Sequence, residues 1–161
     1  MAQVVRELAS VPDEVIRDMA VYLSSFSPTS PASVAPDVKA REVVAQAAAR
    51  APAPTAAQRP FEGSCGACHP DGEGPRLLGI NAPLALNTNL HSDTPDNLIQ
   101  IILQGLQAPP SREVGFMPSF RHSLSDAQMT DIVNYTRRRY APDLPAWSQV
   151  QERIVQLRAL P

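Results

Sequence analysis

The alternation of apolar and polar positions divides this chain into helical stretches separated by proline-rich segments, with no convincing strand. The densest apolar run, Leu98, Ile99, Ile101, Ile102 and Leu103, is apolar on more than one side and predicts a well-buried helix. Its start is signalled by Thr94 as a cap, Pro95 preorganised at the first position and Asp96 at the positive end of the dipole. Gly105 provides a stop. A second helix opens at Ser125-Asp126-Ala127-Gln128, where the serine oxygen and the glutamine side chain can cap each other's backbone amides. Met129, Ile132 and Val133 give it an apolar stripe, with Tyr135 beside it. Arg137 to Arg139 place positive charge near its C-terminal end and read as solvated helix-end charge.

The flanks repeat this grammar more weakly. Val11 to Leu23 aligns without gaps to Leu124 to Thr136, sharing Asp13 with Asp126, Asp18 with Asp131 and Tyr22 with Tyr135. Met19 and Met129 both fall inside apolar patterns and read as core. Residues 1–27 are therefore expected to be the terminal helix of a preceding domain of the same kind as the one that follows. Residues 28–54 form a Pro/Ala-rich linker, in which Asp37 to Arg50 has the residues of one short helix with Asp37 as cap. Val43, Val44 and Ala47 share one of its sides. Residues 55–141 make the main domain. Beyond it, Pro142, Pro145 and Trp147 precede a last helix within 142–161, opened by Ser148 and Gln151, whose Val150, Ile154, Leu157 and Leu160 should pack on something.

Composition narrows the class. The 161 residues include 17 prolines and only 5% aromatics, which leaves roughly ninety residues for one core. The formal net charge of -2 gives no sign of nucleic-acid binding, and no apolar run is long enough to span a bilayer. Met1 leads into an amphipathic helix and not into a charged then apolar leader. With the chemistry below, this favours one stretch of a longer exported polypeptide.

That chemistry is concentrated in Cys65-Gly66-Ala67-Cys68-His69, two thiols and an imidazole at the spacing that attaches a c-type haem. Each cysteine can form a thioether to a porphyrin vinyl group, and the adjacent histidine falls under the iron. A redox-active thiol pair or half a zinc site would share the cysteine spacing. However, a zinc site needs two more soft ligands, and this chain has only these cysteines, while His91 and His122 lie far off at no regular spacing. Met117, in Gly115-Phe116-Met117-Pro118-Ser119-Phe120, offers a thioether suited to low-spin haem iron. Pro118 restricts it to extended backbone. A gap-filling role for Met117 is the competing reading, with His91 and His122 as alternative sixth ligands. Between the two ligands, Gly72-Glu73-Gly74-Pro75-Arg76-Leu77-Leu78-Gly79 has glycines that allow close backbone approach to a ring and leucines, Leu77 among them, that can wall it.

With these residues in hand, residues from about 55 to 141 resemble a class I, mitochondrial-type cytochrome c domain, which implies an all-α fold around one covalently bound haem. Carried over, Cys65 and Cys68 hold the haem, His69 and Met117 ligate the iron, and the carbonyl of Pro75 orients the histidine ring. Pro60 departs from the pattern, because it falls in the helix leading into the motif and is tolerated only if that helix starts near it. More narrowly, Leu78 to Asn87, Asn97 to Ile99 and Pro142, Pro145 and Trp147 resemble the last haem domain of multi-haem cytochrome subunits of periplasmic dehydrogenases. The type implied is the molybdenum hydroxylases that oxidise nicotinate or aldehydes. The resemblance implies a periplasmic electron-transfer domain, not itself a catalyst. Its partners would be molybdopterin and iron–sulfur catalytic subunits, upstream haem domains and a respiratory acceptor, with any membrane association made through the complex. The alternatives are a stand-alone soluble carrier, or a haem sensor or catalyst with an open sixth position.

Overall fold

The computed structural model describes residue 4 and residues 7–26, 35–50, 56–70, 83–106 and 116–160. Six α-helices are bounded within the described residues: α1 (Asp13–Ser24), α2 (Pro36–Ala49), α3 (Gln58–Ser64), α4 (Asp96–Gln104), α5 (Asp126–Tyr140) and α6 (Val150–Arg158). Two 3₁₀ turns, Leu84–Leu86 and Thr88–His91, precede α4. Among the described residues the β-structure is confined to an isolated antiparallel bridge between Leu106 and Met117. The fold is all-α, as expected.

The core forms where α3, α4 and α6 meet α5. Leu90, Ile99, Leu103, Met129, Ile132, Val133 and Ile154 are fully enclosed. Removing one such side chain from water contributes about 1.5–3 kcal/mol, so these few positions dominate the packing energy. On α4, Leu98, Ile99, Ile102 and Leu103 are all buried, which is why this short helix needs a hydrophobic surround on more than one side. The helix begins at Asp96 with Pro95 in the cap position and makes no side-chain cap bond. Thr94 instead hydrogen-bonds the Asp96 carboxylate. Gly105 ends it with φ of 71°, the left-handed conformation that favours glycine.

The Ser125 capping box of α5 is present in both directions: the Gln128 amide donates to Ser125 Oγ at 3.2 Å and the Ser125 amide to Gln128 Oε1 at 2.9 Å. Pro60 is accommodated because α3 starts at Gln58, so the proline lies in a first turn where its missing N–H has no intrahelical partner to lose. In α2, Pro36 takes the first position and Ala35 precedes it. Asp37 therefore does not cap but pairs with exposed Arg41 one turn on, at 2.6 Å. Val43, Val44 and Ala47 pack against the core, so the linker's helix is docked on the domain. In α6, Val150, Ile154 and Leu157 are buried against α4 and α5, while Leu160 stays exposed.

Two further expectations are corrected. Met19 is 43% exposed and α1 buries no residue, because nothing among the described residues covers its apolar side. Arg137 and Arg139 are buried, each 4% exposed, and only Arg138 is solvated. The Arg137 fork reaches the carbonyls of Leu90, Ser92 (3.3 Å) and Pro145 (3.1 Å) and lies 4.4 Å from the Trp147 ring centroid. Arg139 donates to the Ala47 carbonyl. Backbone carbonyls thus take the place of water around the Arg137 guanidinium, while that of Arg139 also lies over the Tyr140 ring, 5.2 Å from its centroid.

Candidate functional site

The Cys-x-x-Cys-His segment is wound onto the end of α3. The amides of Cys65 and Gly66 both donate to the Phe61 carbonyl, at 2.7 and 3.1 Å, and those of Cys68 and His69 to the Cys65 carbonyl, at 3.1 and 2.9 Å. Both thiols and the imidazole therefore issue from one tight turn. Gly66 keeps that turn closed, since a Cβ there would come to 3.0 Å from the Glu62 carbonyl oxygen. Phe61 fixes α3 on α5 by packing against Tyr135, with ring centroids 5.0 Å apart, and against Tyr140 at 6.4 Å.

Cys65 is buried and Cys68 half-buried, and the two are not joined as a disulfide. Burial, reinforced by the neighbouring Cys68, pushes the Cys65 thiol up to about 11. Among the described residues no group of three or more His, Cys, Asp or Glu side chains could hold a metal ion, as a zinc site would require. The donors suit a porphyrin instead: two free thiols, an imidazole, a thioether and an apolar surround.

Met117 is half-buried against the same core that Cys65 joins. Its segment is held by the end of α4. Leu106 and Met117 exchange backbone hydrogen bonds of 2.8 and 3.0 Å, Ser119 Oγ donates to the Leu103 carbonyl at 2.6 Å, and the Phe120 amide to the Ile102 carbonyl at 3.0 Å. Gly105 is required by this crossing, because a Cβ there would lie 2.4 Å from the Met117 carbonyl oxygen and 2.7 Å from the Ser119 amide. The glycine that stops α4 is therefore also the floor of the methionine segment.

Pro75 and Leu77, with the strip from Gly72 to Gly79, lie outside the described residues. His91 and His122 are both exposed. The structure thus draws Cys65, Cys68 and His69 together on one turn and sets Met117 against the core that this turn borders. Sequence reasoning missed Arg137, Arg121 and Arg158, whose guanidinium groups tie distant segments through backbone carbonyls. The trace left by Arg137 was a tryptophan just after two prolines, downstream of an arginine run.

An all-α domain in which a Cys-x-x-Cys-His turn and a methionine-bearing segment border one apolar core is a c-type cytochrome domain. The chain belongs to the cytochrome c family: residues 52–135 match the family described as cytochrome C oxidase, cbb3-type, subunit III. The cofactor of such domains is covalently bound haem c, and their work is electron transport. The chain is 40% identical over 164 residues to a nicotinate dehydrogenase subunit of Pseudomonas putida, a match that takes in all of this chain and 13% of that protein. It is 31% identical over 85 residues to the cytochrome c subunit of the quinone alcohol dehydrogenase of Gluconobacter oxydans, covering 51% of this chain and 18% of the relative. The corresponding subunit of Komagataeibacter europaeus is 31% identical over 84 residues, covering 50% and 18%. The chain thus spans less than a fifth of each curated relative.

Proposed function

We propose that this domain relays single electrons from a periplasmic dehydrogenase, a molybdenum hydroxylase complex with iron–sulfur centres, to a respiratory acceptor. The observation that carries the reading is the turn after α3, on which two unpaired thiols and an imidazole stand beside one apolar core. Similarity along the whole chain to the nicotinate dehydrogenase subunit supports the choice of complex. Haem c supplies a one-electron couple when bound.

Cys65 and Cys68 would hold the porphyrin through thioethers, one per vinyl group. His69 and Met117 would ligate its iron, and thioether ligation would favour the reduced state. The family resemblance assigns Pro75 to orienting the His69 ring and Leu77 to walling the haem. Leu90, Ile99 and Met129, all fully buried, exclude water from the core alongside. The chain divides as 1–27, 28–54, 55–141 and 142–161, the first being the last helix of a preceding haem domain. Its similarity to the α5 start and its uncovered apolar side support that division. No helix among the described residues is long and apolar enough to cross a membrane.

The test is an alkaline pyridine spectrum of the denatured protein after acid-acetone extraction, with intact mass recorded. One haem retained on the chain is the expected result. Complete loss of haem on extraction returns Cys65 and Cys68 to a thiol pair and ends this reading.

A further inference from the structure

The terminal helix α6 lies beyond residues 52–135, the stretch that matches the family. It nevertheless grips the segment that carries Met117. Arg121, four residues after Met117, donates Nη1 to the carbonyls of Arg158 and Leu160 at 2.7 and 3.2 Å. Arg158 reaches back the other way: Nη1 donates to the Arg121 carbonyl, Nη2 to the Leu124 carbonyl at 3.1 Å, and Nε pairs with Asp126 at 2.7 Å. These side chains are largely shielded, Arg158 being 23% and Asp126 34% exposed. The two arginines thus exchange bonds with each other's backbone. A carboxylate in the first turn of α5 closes the set.

The other edge of the same segment is bound to the end of α4 through Ile102, Leu103 and Leu106. The segment is therefore held by the end of α4 at residues 117–120 and by α6 at Arg121. At its opposite end α6 also holds the start of α4, where Arg153 pairs with Asp96 in a two-pronged contact at 2.5 and 3.0 Å. One short helix therefore braces both elements that fix where Met117 sits.

We propose that α6 is a clasp on the sixth-ligand segment, with Arg158 and Arg121 as positioning residues that keep the Met117 thioether in place. This rests on Met117 being an axial ligand. With the clasp released, the segment 117–124 opens before the rest of the domain unfolds, because it loses charge-assisted bonds on one edge while the core under α5 is untouched.

The experiment uses the haem-loaded full-length protein and the variants Arg158→Ala, Arg158→Lys and Val44→Ala, the last trimming the packing of α2. In the ferric protein, the weak near-infrared sulfur-to-iron charge-transfer band is followed against denaturant beside the helical circular dichroism. In the ferrous protein, carbon monoxide binding is timed. The clasp predicts that Arg158→Ala loses the band at lower denaturant than the helix signal and binds carbon monoxide about tenfold faster, the effect of losing one charged hydrogen-bond set. Arg158→Lys should stay near the alanine variant, since an ammonium cannot serve three acceptors in one plane. Val44→Ala should leave band and rate unchanged relative to unfolding. If Arg158→Ala does not accumulate, Arg121→Gln should show the same separation of band loss from unfolding. Band and helix signal lost together, with the parent's carbon monoxide rate, would overturn the clasp and leave Met117 as ligand. A parent protein without the band, whose potential Met117→Ala does not change, overturns the ligand assignment and the clasp with it.

Discussion

Arg137 shows how much one side chain organises here. Its guanidinium collects the carbonyls of Leu90, Ser92 and Pro145 while its face lies on Trp147, whose indole also donates to Ser92 at 3.0 Å. Replacing it by alanine strands these acceptors inside the domain and empties the space under the indole, costing about 3 kcal/mol. Denaturant unfolding of Arg137→Ala should show this loss. Arg137→Met should recover a part of it, because the stem still covers Trp147. At Gly105, alanine must adopt a φ of 71° and drive a Cβ to 2.4 Å from a backbone oxygen. Backbone cannot yield as a side chain can, so the expected cost exceeds about 2 kcal/mol. Carbon monoxide binding to the reduced Gly105→Ala protein should quicken, since the atoms that must shift belong to the methionine segment. At Met117, alanine should lower the reduction potential and open a coordination position; redox titration and carbon monoxide binding read both.

Among the elements, the strongly patterned ones were legible from residue order alone. The Ser125 box, the many-sided apolar face of α4 and the Val150, Ile154, Leu157 spacing of α6 each carry a local signal strong enough to stand without tertiary context. The turn from Cys65 to His69 was legible for the same reason, because its chemistry is set by adjacent residues. Arg137 and Arg139 were not legible, since a charge run on a helix end looks the same whether water or distant carbonyls receive it. Nor was the exposure of Met19, because periodicity marks an apolar side without showing what covers it. The contact between α4 and α6 adds a pH prediction. Its Arg153 partner, chiefly by hydrogen bonding, holds the Asp96 carboxyl below its ordinary value of 3.8. A lowered folded value means that this contribution is complete above the unfolded carboxylate range and is lost as pH falls through the lowered value. Asp96→Asn should therefore flatten the acid limb of the stability profile. A limb unchanged in shape would show that the pair does not contribute.

Across the whole molecule, two apolar surfaces are treated differently. The side of α2 that bears Val43, Val44 and Ala47 is packed on the core, whereas Val15, Met19, Val21, Tyr22 and Leu23 of α1 are exposed. In α5, the residues matching Ile16, Met19 and Tyr22 are Met129, Ile132 and Tyr135, each buried, the last against Phe61 beside the cysteine turn. If α1 plays that part for a preceding domain, hydrogen exchange in α1 should be slow in the full-length polypeptide and fast in a chain that begins at residue 1. Equal exchange in both would show that nothing upstream covers it.

The docking of α2 also shortens the leash on α1. The chain between Ser24 and Pro36 can span at most about 40 Å, and the far end of that span is pinned to the core by α2. A preceding domain that gripped α1 would thereby be confined near this one at an effective concentration in the millimolar range. Traffic between the two would then run at a pace set by reorientation within a small volume, insensitive to dilution.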